Sequence, residues 1–303
     1  MLRQRFVFSF ILLLLVSVAC RQSAAPTASP AEPSSQPISN AGQTITGQIT
    51  LSGVTRTYRL HIPINTQSNQ PAPLILNFHG FTSNGQEQET LSGMSQKADS
   101  FGYFVVYPDG LDEHWNVTPG QEGEADLQFV RDLIQAISSS YPIDSHRIYA
   151  TGISNGGGMA NRLACDMSNV IAAIAPVSGA FNTWKNCNPS RPVPVLEFHG
   201  LDDQIAPYEG AGRGNVEPPI HDWASAWAER NGCDRTPTIV SQTSTIQVEQ
   251  WNGCKETATV ILYTLSGHGH SWPGTNYLPA TVTSQEVNAT DLILQFFQKY
   301  QLP

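Results

Sequence analysis

At 303 residues, 40% of them hydrophobic and 14% charged, the chain is long enough to bury a large core and reads as a globular protein with one catalytic-sized domain. Its formal charge is −9, and the body of the chain holds no Lys/Arg cluster. Nucleic acid is therefore excluded as a partner, because phosphate backbones require a basic footprint.

The first segment is not part of the fold. Arg3 and Arg5 precede a largely apolar run from Phe6 to Val18. That run falls short of the ~20 residues a bilayer span needs and has the length of a signal-peptide core. Cys20 follows Val-Ser-Val-Ala, so residues 1–20 resemble a bacterial lipoprotein signal with Cys20 as the lipidated N-terminus, although Ser17 stands where Leu is usual. Ordinary cleavage after Ser-Val-Ala is the alternative and gives a freely secreted protein. Residues 21–43 are rich in Ser, Ala, Pro and Gln and read as a flexible spacer with too little apolar surface to order itself. Residues 44–303 remain as the folded domain. Four cysteines lie in it: Cys165, Cys187, Cys233 and Cys254. Three pairings are open, and no Cys-x-x-Cys or His/Cys spacing marks a metal site. Sequential pairing closes two loops of about twenty residues, each worth roughly 3 kcal/mol by loop entropy.

Along that domain, residues 44–63 read as two β segments joined by a Ser-Gly turn. Residues 73–80, "PLILNFHG", form an apolar run typical of a strand buried on both faces. A helix over 89–102 and a second buried strand over 103–110 follow. Residues 124–141 carry Leu127, Val130, Leu133, Ile134 and Ile137 as a helical stripe. Strand 146–152 runs into a helix over 155–168, and residues 170–179 and 193–200 are two more buried strands. A helix over 221–233, a late strand over 258–267 and an amphipathic helix over 284–300 complete the chain. Alternating helices and doubly buried strands predict an α/β fold with a mostly parallel sheet and helices on both faces. Ligands bind such sheets at the strands' carboxyl ends, where this chain puts its Gly, His, Asp and Ser residues.

Gly152-Ile153-Ser154-Asn155-Gly156 fits the Gly-x-Ser-x-Gly nucleophile elbow in a strand–turn–helix context. The bend would lift the Ser154 hydroxyl out of the sheet, and the Asn155 N–H at the helix start would face a developing oxyanion. A tight turn that merely contains serine is the plainer alternative. A serine needs a base and an acid, in the chain order Ser, Asp or Glu, His. Asp202 and Asp203 lie just past the strand 193–200, and spacing does not separate them. His268 and His270 lie in the Gly-rich loop after the late strand. His61, His114, His146 and His221 occupy positions where histidine is usually structural or solvated. His79-Gly80 after the first central strand would supply a second oxyanion donor through the Phe81 N–H. Trp115, Trp272 and Trp184 are candidates for aromatic cleft walls, though each suits a core position as well.

"LNFHGF", "YPDG" followed by "WN", "HRIYATGISNGGGMANRLAC", "PVPVLEFHGLDDQIAPY", "WAERNGC" and "LSGHGHSWPG" together resemble the polyhydroxybutyrate-depolymerase and feruloyl-esterase family of secreted α/β-hydrolases, over roughly residues 45–300. The resemblance implies an α/β-hydrolase domain and a catalytic acid at Asp203, from the spacing between His199-Gly200 and Pro207-Tyr208. It places the base at His270, with His268 replacing a glycine of the family's run, and it is similar in cysteines to the sequential pairing. It further implies Ser154–His270–Asp203 chemistry with Phe81 and Asn155 N–H groups at the oxyanion. No metal or organic cofactor is needed. The partner is a small or oligomeric ester, with feruloyl or acetyl esters of plant polysaccharide first and hydroxyalkanoates second. Export to the bacterial surface, periplasm or medium follows, with the membrane reached only through the N-terminal lipid. A binding lipoprotein on a catalytically dead scaffold is the reading from another class.

Overall fold

The computed structural model describes residues 38–303 apart from 65, 119–120, 182–186 and 213–216. Cys20, the signal-like segment, most of the spacer and Trp184 lie outside the described residues. The elements run β1 (Gln43–Leu51), β2 (Val54–Ile62), β3 (Ala72–Phe78), α1 (Gly85–Ser92), α2 (Met94–Phe101), β4 (Phe104–Pro108), α3 (Gln121–Ser140) and β5 (Ile143–Ile153). They continue with α4 (Asn155–Asp166), β6 (Ala173–Val177), β7 (Val195–Gly200), α5 (Ile220–Arg230), β8 (Thr238–Gln242), β9 (Ile246–Trp251), β10 (Val260–Leu265) and α6 (Ala289–Phe297).

The strands form one sheet in the order β1-β2-β4-β3-β5-β6-β7-β10-β9-β8. The central six, from β4 to β10, pair in parallel, and antiparallel hairpins flank them at both rims. In the β1–β2 turn, Ser52 and Gly53 both take positive φ, 49° and 84°, the twist that two-residue hairpins favour. The period-2 geometry of strands splits the apolar runs between two cores. Leu74, Leu76 and Phe78 of β3 face α3, α4 and α5, while Ile75 faces the opposite layer with α2 and α6. The fold is the predicted α/β-hydrolase type.

Three local readings change. The helix expected over 89–102 is two helices, because Gly93 takes a left-handed φ of 56° between α1 and α2. The last helix is shorter than expected and starts where the Asn288 side chain accepts from Asp291 N–H at 3.1 Å. The β8–β9 hairpin was not anticipated. Its signal is the alternation in "TIVSQTSTIQVEQW", obscured because every β8 residue is exposed. Both disulfides form in the sequential pairing, Cys165–Cys187 and Cys233–Cys254. On the α5 side of the core, the Asn161 carbonyl of α4 accepts from two buried indoles, Trp223 at 3.2 Å and Trp227 at 3.0 Å.

Candidate active site

The junction of β5 and α4 is a close backbone contact that only glycine permits. A Cβ at Gly152 would sit 2.5 Å from the Phe78 carbonyl oxygen, and one at Gly156 would sit 2.2 Å from the same atom. Strand β3 and helix α4 therefore touch through bare backbone. Between these glycines Ser154 adopts φ 56° and ψ −120°, a conformation that costs a non-glycine residue roughly 1–3 kcal/mol. Surrounding hydrogen bonds hold it there: Ser154 N–H donates to Val177 O, and Ser154 O accepts from Gly158 and Ala180 N–H groups, at 3.0, 2.9 and 3.0 Å. The serine lies at the start of α4, whose first N–H groups lack intrahelical acceptors.

The loop after β3 meets this bend. A Cβ on Gly80 would lie 3.5 Å from the Ser154 Cβ, so the Gly80–Phe81 backbone runs beside the serine. His79 sets that loop. It accepts the Gly110 N–H at Nε2 (2.8 Å), so its proton lies on Nδ1, which donates to Gly80 O (2.7 Å). Burial keeps its basicity below that of an ordinary imidazole, consistent with a neutral ring. The Asn155 side chain clamps Trp115 from both sides, accepting its N–H at 2.7 Å and donating to its carbonyl at 2.9 Å. Behind Trp115, Arg56 pairs with Asp126 at 2.6 Å, and the other Asp126 oxygen accepts the Asn116 N–H. Both of these charged side chains are buried, so removing either would cost about 3–5 kcal/mol.

The acid and base arrive from β7 and β10. Asp203 is 1% exposed, and its Oδ1 accepts the Ile205 and Ala206 N–H groups at 2.9 Å each. Its Oδ2 lies 2.8 Å from His270 Nδ1. Burial pushes the Asp203 carboxyl up, but the His270 hydrogen bond, nearby imidazole charge and backbone donors outweigh it and hold it below the usual carboxylate range. Asp202 points outward and is exposed. The carboxylate that reaches His270 is thus the one the motif spacing selects. His268 is buried and plays a different part from His270. Its Nδ1 accepts the Ser284 N–H at 2.8 Å, leaving the Nε2 proton for Ser271 O at 3.2 Å, and burial lowers its basicity. It staples the base-bearing loop to the 282–284 segment as a neutral ring.

Ser154, Asn155, Phe81 and His270 all line one cleft of about 650 Å³, together with Ile205 and Glu217. Among the described residues no hydrogen bond joins the Ser154 hydroxyl to the His270 ring; such contacts commonly tighten only when substrate is bound. Phe81 is 51% and Ile205 59% exposed, and they share the cleft lining with Thr82, Ser83, His114 and Thr118, so apolar and polar side chains mix there. The tryptophan expectations change. Trp272 does not line the cleft: it is 1% exposed, belongs to the α6-side core and donates to Thr290 Oγ1 at 2.9 Å. Trp115 reaches the cleft but is likewise 1% exposed, edge-on to Phe78 with its Nε1–H on His79 O, so it is floor and not wall. Among the described residues no cluster of three or more His, Cys, Asp or Glu is arranged to hold a metal. Sequence reasoning passed over Glu197 and His199, which lie fully buried behind Asp203. The available signal was two ionisable residues at alternate positions in an otherwise apolar central strand.

Residues 56–187 match the family model described as esterase PHB depolymerase. Feruloyl esterase D of Neurospora crassa is 32% identical over 209 residues, spanning 65% of this chain and 68% of that protein. Feruloyl esterase B of Piromyces equi is 34% identical over 191 residues, but those span 58% of this chain and only 35% of that longer protein. Among solved structures, an acetyl xylan esterase from Aspergillus awamori superposes with a TM-score of 0.61 at 16% identity, covering 84% of this chain and 99% of the other, a likeness of fold. The shared motif-bearing segment, the α/β-hydrolase sheet and the bent serine lead to one conclusion: this chain belongs to the polyhydroxybutyrate-depolymerase and feruloyl-esterase family of carboxylic-ester hydrolases.

Proposed function

We propose that the protein is an exported serine esterase in which Ser154, His270 and Asp203 form the catalytic triad. The observation that carries this is the 2.8 Å contact between Asp203 Oδ2 and His270 Nδ1 in the cleft that also holds the strained Ser154. With Nδ1–H committed to Asp203, the His270 Nε2 lone pair is free to accept a proton. As Ser154 Oγ bonds to the ester carbonyl carbon, its proton passes to Nε2, and the carbonyl π pair moves onto oxygen. The Phe81 and Asn155 N–H groups receive that oxyanion. Collapse breaks the C–O bond to the alcohol, which leaves with the proton from His270. Water then attacks the acyl-enzyme by the same steps in reverse roles and frees the acid and Ser154.

Feruloyl or acetyl esters of plant polysaccharide are the leading substrates, supported by the relatives named above and by the exposed apolar side chains of Phe81 and Ile205 in the cleft lining. Hydroxyalkanoate oligomers are the competing ester, in keeping with the family description. Turnover of methyl ferulate, acetylated xylan and hydroxybutyrate oligomers, compared as kcat/KM, separates them. Ser154→Ala is expected to lower kcat on p-nitrophenyl acetate by roughly 10⁴–10⁶-fold. Unchanged turnover in that variant removes the serine from the mechanism. A fluorophosphonate probe labels the wild type on this reading and would leave a dead binding scaffold unlabelled. The two disulfides favour an oxidising compartment. Cys20 lipidation is proposed as the anchor, and mass spectrometry of the mature N-terminus tests it.

A further inference from the structure

Strand β7 buries both Glu197 and His199 completely, each 0% exposed. Burying an ion pair costs several kcal/mol per ion unless geometry repays it. Here repayment is incomplete, since Glu197 Oε2 has no hydrogen-bond partner among the described residues. What the pair touches explains its presence. Glu197 Oε1 accepts the Gly179 N–H at 3.2 Å and lies 2.9 Å from His199 Nδ1. Across the ring, His199 Nε2 lies 2.8 Å from Ala206 O and 3.5 Å from Asp203 Oδ2. Burial pushes the Glu197 carboxyl up against the pull of His199; with that carboxyl ionised, every atom facing the two ring nitrogens is an acceptor, which an imidazolium satisfies and a neutral ring does not. Each end of the pair leads to one half of the site. Gly179 precedes Ala180, whose N–H holds the Ser154 carbonyl, and Ala206 donates its own N–H to Asp203 Oδ1.

We propose that His199, kept doubly protonated by Glu197, is a positioning residue that fixes the Asp203 turn and faces the buried acid with a cation. The proposal rests on Asp203 being the triad acid. The titratable groups around His199 are Glu197 on its own strand, Asp203 in the following turn, Tyr208 edge-on at 6.1 Å, and His268 and His270 from the loop after β10. Burial opposes charge on the His199 ring, but the Glu197 carboxylate, the Ala206 carbonyl and Asp203 together raise its basicity above the ordinary value. The cation offsets part of the Asp203 charge, so the acid stays ionised without binding the base's proton too tightly.

Glu197→Gln keeps the shape and the acceptor for Gly179 while removing the charge that retains the second proton on His199. It is expected to lower kcat roughly tenfold with KM unchanged and to move the acidic limb of kcat/KM to higher pH. A merely structural role would leave the pH profile in place. Nitrogen-15 NMR of histidine-labelled wild type supplies the second measurement, independent of whether the variant folds. Both His199 ring N–H groups are expected to persist across about pH 6–9, where a free histidine of pKa ~6.5 sheds one. Loss of a ring proton within that range overturns the proposal. So does a Glu197→Gln enzyme with wild-type kcat and pH profile while Ser154→Ala is inactive. If Ser154→Ala instead retains turnover, it is the triad reading that fails, and the ring spectrum still decides the protonation of His199.

Discussion

Around Ser154 the constraint is backbone: nothing larger than hydrogen fits at Gly152 or Gly156, and the Phe78 and His79 carbonyls at the end of β3 press directly on α4. Asp203 and His270 stand 67 residues apart in sequence and are held by polar contacts, with backbone N–H groups and His199 behind one and His268 beneath the other. Glycine marks both regions but acts differently. A Cβ on Gly269, next to the base, would meet nothing nearer than 3.6 Å. The nucleophile is therefore fixed by excluded volume over a few residues, and the acid–base pair by polar contacts assembled from distant loops. The first arrangement tolerates almost no added atom; the second tolerates volume at Gly269 but not at Gly200, where a Cβ would sit 1.9 Å from the His268 carbonyl oxygen, and it cannot lose a donor or acceptor.

The sharpest break of this contrast is on the polar side. Asp203→Asn should lower kcat by roughly 10⁴-fold, because a neutral amide no longer selects the productive ring tautomer, while Asp202→Asn should stay within about twofold. Steady-state kinetics on p-nitrophenyl acetate measures both, and a reversed pattern would reassign the acid. On the backbone side, Gly156→Ala should destabilise by about 3 kcal/mol or prevent folding, whereas Gly269→Ala should change stability by less than about 1 kcal/mol. Urea unfolding of the pair reads the difference. His268→Leu should cost about 1–3 kcal/mol by stranding the Ser284 N–H and Ser271 carbonyl, again by urea unfolding. The smallest effect is one of pH. Because folding lowers the Asp203 pKa, its stabilising contribution is complete above the ordinary aspartate value of ~3.9 and is lost as pH falls through the folded value. The melting-temperature gap between wild type and Asp203→Asn should therefore narrow below about pH 4.

The same contrast explains what could be read from the chain. The elbow is contiguous, so Gly152 to Gly156 disclosed both the bend and the nucleophile. The parallel strands showed themselves as apolar runs because both their faces are covered. Asp203 and Asp202 could not be separated by spacing, since facing inward or outward depends on the turn that follows β7; family resemblance supplied the choice. The roles of His268 and His270 hinge on partners at 282–284 and at Asp203, remote in sequence. Trp272 stood open between cleft and core because adjacency to the base along the chain says nothing about which face of the sheet receives the indole. Glu197 and His199 were hidden inside a run that otherwise signalled only burial.

The twin indole contacts on Asn161 give α4 a built-in optical reporter. One amide oxygen uses both lone pairs on Trp223 and Trp227. Any slippage of the helix that carries the serine would free those rings and redden their emission. Because the chain has six tryptophans, the part of the emission change that disappears when Trp223 and Trp227 are replaced by Phe, followed during chemical unfolding, would tell whether catalysis is lost before, or together with, release of that helix.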